Sequence, residues 1–423
     1  MKQQLLHTFR SLEHRNFRLY YFGQIISVTG TWMQNLAISW LVYKLTKSAF
    51  YLGLLSFASF SPMLFFGLFG GALADHFNRK KLFISTQFAA LLCAALLTWL
   101  TFNAKVEVWQ LLGLVFFLGF VNAVDMPTRQ SLVADLVDKK NLVNAITLCA
   151  SLFHFCRTIG PAIAGYLVSL SGEGLCFLVN TLSYIPVLAI LFVMRVSKYE
   201  HHVHKETRSF QEAIRYCQGS NLVIPLLCLT AVTSGLGAQY IVLMPAFVAQ
   251  ILHLGPGTLG FLMAANSVGA LLAALFLANR ATASAFVRGV GLACFLCASS
   301  IWLFSFATNL FLAACAAFLC GFTFTIQLSG TQSLIQLSAP DHLRGRIMSL
   351  YNTVLLGIGP FTGLFIGYFA ASLGPSTGVP MALKLCGSIC AVAAIAYLIR
   401  MRNIDMDIVS APKEDAKSEL SRI

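Results

Sequence analysis

Charge is scarce in this chain, and negative charge is scarcest: 423 residues carry 16 Asp and Glu against 29 Lys and Arg, and charged residues make up only 11% of the total. A water-soluble protein of this length cannot cover its surface with so few ionised groups. With 57% apolar residues and a mean hydropathy of +0.76, the chain reads as a polytopic membrane protein without a soluble domain. No nucleophile, base and orienting group cluster together, which argues against an enzyme. Cysteine is present but not arranged. Twelve are scattered through apolar runs, and the one close pair, Cys294 and Cys297, lacks the His or further Cys that a zinc site needs, so no metal or cofactor is expected. The first apolar run, beginning near Phe17, lacks a small-residue cleavage site and reads as a retained span rather than a signal peptide.

What is there is a series of twelve apolar runs, near residues 17 to 43, 48 to 74, 82 to 102, 108 to 128, 143 to 169, 174 to 194, 221 to 249, 258 to 278, 287 to 307, 310 to 331, 347 to 371 and 379 to 399. Each has about the 20 residues that a helix needs to cross a bilayer. The expected fold is therefore all-α, with twelve transmembrane helices. Loops assigned alternately from a cytoplasmic amino terminus place 24 of the 29 Lys and Arg on one side. Three lie on the other (Lys44, Lys47 and Lys105) and two within spans (Arg157 and Lys384). This is the positive-inside pattern, so the net charge of +13 reports topology rather than nucleic-acid binding, and both termini are expected in the cytoplasm.

The longest polar interruption divides the spans six and six: a first half over 1–194, a linker over 195–220, a second half over 221–400 and a charged tail over 401–423. The linker's His201, His202 and His204 could hold a metal, but in a charged loop without a Cys partner motif they read as solvated. Phe210 to Tyr216 is expected to form a short amphipathic helix on the membrane surface. An internal repeat supports the two halves. At an offset of 202 residues, Gln130-Ser131-Leu132 matches Gln332-Ser333-Leu334, Gly165-Tyr166 matches Gly367-Tyr368, and Gly172 matches Gly374. An even number of spans separates the copies, so the halves share one orientation, the architecture of alternating-access carriers.

Few residues could carry chemistry. Asp75, Arg79, Lys80 and Lys81 occupy the short turn after span 2; by spacing alone, a latch and a solvated turn that only fixes topology are equally consistent. Asp125, in span 4, is the one carboxylate that the run boundaries place inside a span, with Arg129 one helical turn on. In span 5, His154 and Arg157 share a helix face, and Arg157 falls near mid-membrane, where it should face a cavity or an interhelical partner. A structural bond at the kink beside Pro161 is the alternative. Gly160, Pro161 and Gly165, echoed by Gly359 and Pro360 in span 11, suit a bending helix. The remaining polar groups in spans, among them Gln24, Asn35, Gln239, Gln327 and Asn352, are singly read as interhelical hydrogen bonds. Collectively, with 35 Phe, they suggest an aromatic, weakly polar cavity.

Gly71-Ala72-Leu73-Ala74-Asp75, followed by Arg79-Lys80-Lys81, resembles the signature loop of the major facilitator superfamily. Asn16-Phe17-Arg18-Leu19, Gly30-Thr31-Trp32-Met33-Gln34, Pro127-Thr128-Arg129-Gln130, Phe177-x-x-Asn180 and Arg344-Gly345-Arg346-Ile347 are similar to the bacterial group of the enterobactin exporter and macrolide efflux proteins. The resemblance covers roughly residues 10 to 400. It implies a twelve-helix carrier, with two six-helix halves, in the bacterial inner membrane. Such a carrier exports a siderophore or hydrophobic drug by rocker-switch alternating access, with protons as the coupling ion. It also implies that the loop latches the two halves, with Asp125 completing a charge relay and Arg129, Arg344 and Arg346 beside it. His76 and Asn78 depart from the family pattern, which often has Arg and Gly there, and imply a weaker or pH-sensitive latch. The partners expected are a small-molecule solute, protons and the lipid bilayer, with no nucleic acid, and the chain is expected to work as a monomer. A lysophospholipid or other lipid flippase is the alternative within transport; a non-transporting sensor or assembly partner is the alternative outside it.

Overall fold

The structure, a computed structural model, describes residues 9–194, 210–278, 283–340 and 342–402. The histidines at 201, 202 and 204, the rest of the linker before Phe210, the tail beyond 402 and the side chain of Asp75 lie outside the described residues. Among the described residues there is no strand. The first six long helices are α1 (Arg15–Thr46), α2 (Ala49–His76), α3 (Arg79–Phe102), α4 (Val108–Asp135), α5 (Leu142–Ser171) and α6 (Glu173–Val193). A short α7 (Phe210–Gly219) precedes α8 (Val223–Gln250), α9 (Pro256–Ala278), α10 (Ala283–Ser305), α11 (Leu310–Ser338), α12 (Arg344–Ser372) and α13 (Gly378–Met401).

Eleven of these are long and apolar enough to cross a membrane. α1 completes the twelve. It has 32 residues, enough for about 48 Å of helix, but Gln24, Gln34 and Asn35 dilute its apolar content. The turns are written locally: Ser48 caps α2, Asn78 caps α3 by accepting from the Lys81 amide at 3.1 Å, and Glu107 and Gln110 form a capping box at α4. Gly172 and Gly374, the pair matched by the repeat, both adopt positive φ (78° and 85°), each closing a helix where a side chain would be strained. α4 runs on to Asp135, past its expected end at residue 128. Arg129 to Ala134 contains no breaker, and Leu132 and Val133 are buried there, which rewards continuing the helix.

Contacts divide the chain into two units. Unit 1 comprises Met1–Lys205, Ile241–Ser267 and Gly363–Val379; unit 2 comprises Glu206–Tyr240, Val268–Thr362 and Pro380–Ile423. Grouping by contact thus differs from grouping by chain order, and glycine explains it. Within unit 1, a Cβ added at Gly260 of α9 would lie 2.4 Å from the Pro161 carbonyl oxygen of α5. A Cβ at Gly53 of α2 would lie 2.4 Å from the Gly363 carbonyl oxygen of α12. These helices meet backbone to backbone, which only glycine permits. The core of unit 1 beneath α1, α3 and α4 is built on Phe17, Phe83 and Leu132.

In unit 2, α8 carries a π-helical turn at Thr233–Gly237, and α12 is interrupted between Gly357 and Gly359. Gln239 bridges the two irregularities, its amide nitrogen donating to the Gly235 and Gly359 carbonyls at 2.6 and 3.2 Å. The linker helix α7 has its apolar face covered by protein rather than by a membrane surface. Ala213 and Cys217 are buried in the unit 2 core, and the Tyr216 hydroxyl donates to the Ser338 carbonyl at 2.7 Å. Burial pushes the Cys217 thiol and the Tyr216 phenol above their ordinary values, so both stay uncharged at neutral pH.

Candidate solute cavity and gate

The turn between α2 and α3 places Arg79 and Lys80 in the first turn of α3, and both reach backward into unit 1. Arg79 Nη1 donates to Asp135 Oδ1 at 2.7 Å, with both side chains largely buried. The Lys80 ammonium donates to the Met194 carbonyl at the end of α6, so α3 is fastened to α4 by one cation and to α6 by the next. Sequence reasoning set Arg79 beside Asp125. The carboxylate it reaches is Asp135, which the expected end of span 4 had left in a loop, and no local signal marks that pairing. Asp75 is on the last turns of α2, its side chain outside the described residues.

Asp125 is deeper and fully enclosed, 4% exposed. Thr86 and Gln87 on α3 both donate to its Oδ1 at 2.8 Å, and Arg129 donates to Oδ2 at 2.7 Å. The Arg129 guanidinium lies 5.7 Å above the Phe83 ring, and Tyr20 of α1 packs on the same ring. One turn deeper on α1, Gln24 is buried with neither amide atom hydrogen-bonded within the protein, and the Gln87 carbonyl oxygen is likewise unpaired. Gln24, expected at the cavity, is not among the cavity walls.

The cavity of unit 1 has a volume of ≈ 310 Å³. Its walls come from α1, α2, α3, α4 and α6, with Ile241, Val242 and Met263 from α8 and α9. Trp32, Phe60, Leu52, Leu55, Val115 and Leu118 give it an aromatic and aliphatic body, while Thr31, Gln34, Asn35, Ser39, Ser59 and Asn122 supply polar atoms. Among the described residues, no ionisable side chain other than the Tyr184 phenol lines it. Of the expected cavity residues, Asn35 is here. Asn122 on α4 is a second exposed amide in the wall. Gly160 lets α5 lie against the Trp32 backbone side, where a Cβ would come within 2.6 Å of the Trp32 Cβ. Arg157 lies behind the wall, its guanidinium 5.7 Å from the Trp32 ring centroid. His154 is half-buried on α5, edge-on to Phe153, and is not a wall residue.

Gln239, Gln327 and Asn352 fall in unit 2. Gln239 is the brace described above, and Gln327 accepts from Thr233 Oγ1 at 3.2 Å beside the π-helical turn, so both are engaged in holding helices. Asn352 is exposed on α12. Arg344 opens α12 and donates through Nε to the Gln336 carbonyl at 3.2 Å; Arg346 follows in the same turn. Gly359 and Pro360 restart α12 after its interruption, whereas Gly160, Pro161 and Gly165 lie inside an unbroken α5. At the other end of α1, Lys44 donates to both oxygens of buried Glu173, at 3.1 and 3.3 Å. Lys44 was read only as a topology marker and Glu173 was not singled out, because nothing in the sequence shows that α1 and α6 lie side by side.

Comparison with known proteins agrees with this architecture. Residues 6–420 match the family described as transmembrane secretion effectors. Among curated relatives, the staphyloferrin A transporter of Staphylococcus aureus is 24% identical over 274 residues, covering 62% of this chain and 66% of its own length. The multidrug efflux pump Tap of Mycolicibacterium fortuitum is 24% identical over 91% of this chain and 96% of the pump. The enterobactin exporter EntS of Shigella flexneri is 24% identical over 80% of this chain and 81% of the exporter. Among solved structures, an inward-facing bacterial homologue of the lysosomal transporter Spinster superposes with a TM-score of 0.72 at 14% identity, covering 92% of this chain and 96% of that one, which shows the shared fold. The chain belongs to the transmembrane secretion effector family of the major facilitator superfamily, a family of multi-pass transporters and not of enzymes.

Proposed function

We propose that this protein is a proton-coupled exporter of a bulky amphipathic solute, working by alternating access in the bacterial inner membrane with both termini in the cytoplasm. One observation carries the reading: the unit 1 cavity has aromatic and aliphatic walls with dispersed, uncharged polar groups. Such a site suits a large, partly apolar solute better than a sugar or a small, highly charged metabolite. The efflux pumps and siderophore transporters among the relatives support export of this class. The buried pairs Arg79–Asp135 and Asp125–Arg129 supply a gate. Arg79–Asp135 ties α3 to α4 directly, and Asp125, paired with Arg129 on its own helix, accepts from Thr86 and Gln87 of α3, at the end of the bundle that the positive-inside pattern assigns to the cytoplasm. Because Asp125 is enclosed by three donors, we assign it to the gate. His154, the remaining titratable group at mid-span depth, is then the candidate for coupling.

The test is energised efflux of Nile red from an efflux-deficient bacterium expressing the protein. Export should appear on adding glucose and vanish with a protonophore. Export unaffected by the protonophore would remove proton coupling, and export unchanged in its pH dependence in His154→Gln, Asp125→Asn and the double variant would remove both coupling assignments. Equal Nile red retention with and without the protein would reject the exporter reading itself.

A further inference from the structure

The cavity has walls whose hydrogen-bonding sense can be read residue by residue. Thr31 Oγ1 donates its proton to the Ser27 carbonyl at 3.0 Å, Ser39 Oγ to the Leu36 carbonyl at 2.8 Å and Ser59 Oγ to the Leu55 carbonyl at 2.8 Å. A hydroxyl has one proton and two lone pairs. With the proton committed to the helix backbone, Ser39 and Ser59 turn only acceptor lone pairs to the cavity, while Thr31 is also hydrogen-bonded to the Tyr184 phenol of the same wall. Gln34 is fixed in the opposite sense, because its carbonyl oxygen accepts from Asn180 Nδ2 at 2.8 Å, which leaves its amino group as the unspent function.

Charge is the second constraint. Among the described residues no carboxylate lines the cavity, so a cationic solute would be desolvated without a counter-charge. Arg157 lies against the wall residue Trp32, and its sign adds to that cost. A carboxylate solute meets no cation in the wall: it is left with neutral donors such as the amide N–H groups of Gln34, Asn35 and Asn122, and Ser39 and Ser59 would turn lone pairs toward it.

We infer that the cavity selects uncharged aromatic amphiphiles carrying hydroxyl or N–H donors, and discriminates against quaternary ammonium and carboxylate analogues of the same body. This rests on the proposed role of the cavity as the solute site. The same chain that exports drugs in the reading above is thus specific against the cationic members of the drug class.

Binding of a matched series to the purified full-length protein in detergent tests this: 2-naphthol, 2-methoxynaphthalene, 2-naphthoate and a naphthyl-trimethylammonium, measured by equilibrium dialysis. Naphthol should bind most tightly, by about three- to tenfold over the methyl ether, the equivalent of one hydrogen bond. Both ions should bind at least about tenfold more weakly than naphthol. Ser39→Ala and Ser59→Ala should each bring naphthol toward the methyl ether without moving the ether itself, a split that general loss of structure would not produce. Asn35→Asp, near-isosteric and exposed in the wall, should raise quaternary ammonium binding about tenfold; Asn122→Asp on α4 is the second charge insertion. Naphthoate or the ammonium binding as tightly as naphthol would overturn the inference, as would no binding of naphthol, or no gain for the ammonium in either aspartate variant. Because binding is read separately from Nile red efflux, an ordered series with no efflux rejects the exporter reading alone, and efflux with a disordered series rejects the selectivity alone.

Discussion

Replacing Asp125 with Asn removes the negative charge of a buried pair while keeping the shape of the side chain. Thr86 and Gln87, which both donate to one carboxylate oxygen, can keep the two lone pairs of the Asn carbonyl, so it is Arg129 that loses its acceptor and faces an NH2 donor. Removing one partner of a fully buried pair costs about 3 to 5 kcal/mol. The Arg129 side chain is 33% exposed, so solvent relieves part of this and roughly 2 to 3 kcal/mol is expected. For a unit of this size that lowers the unfolding midpoint by roughly 4 to 10 °C. The assay is thermal unfolding of the purified protein in detergent, read by tryptophan fluorescence, for Asp125→Asn, Arg129→Gln and the double variant. If the pair is one interaction, the double variant should lose far less than the sum of the singles, because no buried charge is stranded. A midpoint within 1 °C of wild type for Asp125→Asn, on the scale of that estimate, or strict additivity in the double variant, would refute the account of the nest.

Other predictions follow from neighbouring geometry. Asp135→Asn should impair export while membrane insertion stays intact, because Arg79 loses the carboxylate that holds α3 to α4, and Arg79→Gln in the same chain should restore part of the loss. Asp75→Asn should impair transport without affecting insertion if the acid of the α2–α3 turn latches the carrier; wild-type transport rates there would end the latch reading. Gly260→Val should shift exchange of solvent-accessible cysteine probes along α5 and α9, since a side chain cannot fit 2.4 Å from the Pro161 carbonyl oxygen and these helices must part. Tyr216→Phe should increase proteolysis of the linker about three- to tenfold, the loss of one hydrogen bond to Ser338, without changing solute binding.

The spans were legible because a membrane imposes a one-dimensional rule: every backbone group must be satisfied inside the segment, so each span announces itself as a continuous apolar helix. Turns were legible where a single residue does the work, as at Asn78, which caps α3, and at Gly172 and Gly374, whose positive φ the repeat had already paired. The ends of helices were less so. α4 outran its apolar stretch by two turns, since Leu132 and Val133 are buried by tertiary contact and not by lipid, and this carried Asp135 from an expected loop onto the helix.

The site was legible in composition and illegible in pairing. A weakly polar, aromatic cavity follows from counting Asn, Gln and Phe along the spans, and Asn35 is in its wall. Which polar residues line it depends on the rotation of each helix about its axis, and a spanning helix that packs on several neighbours has no single polar face to reveal that rotation. Gln24, Gln34 and Asn35 share α1, yet Gln24 is buried away from the cavity wall, Gln34 is held by Asn180, and Asn35 faces the cavity. Charge pairing is harder still, because a cation at a helix start can reach any acid within one side-chain length on any neighbouring helix. Arg79 had Asp125 and Asp135 on the same α4 within three turns, and only the position of α3 along α4 decides for Asp135. That position is set by Phe83 packing into the core shared with Tyr20 and Leu132, so the Arg79–Asp135 pairing is a consequence of apolar packing that no charged motif encodes.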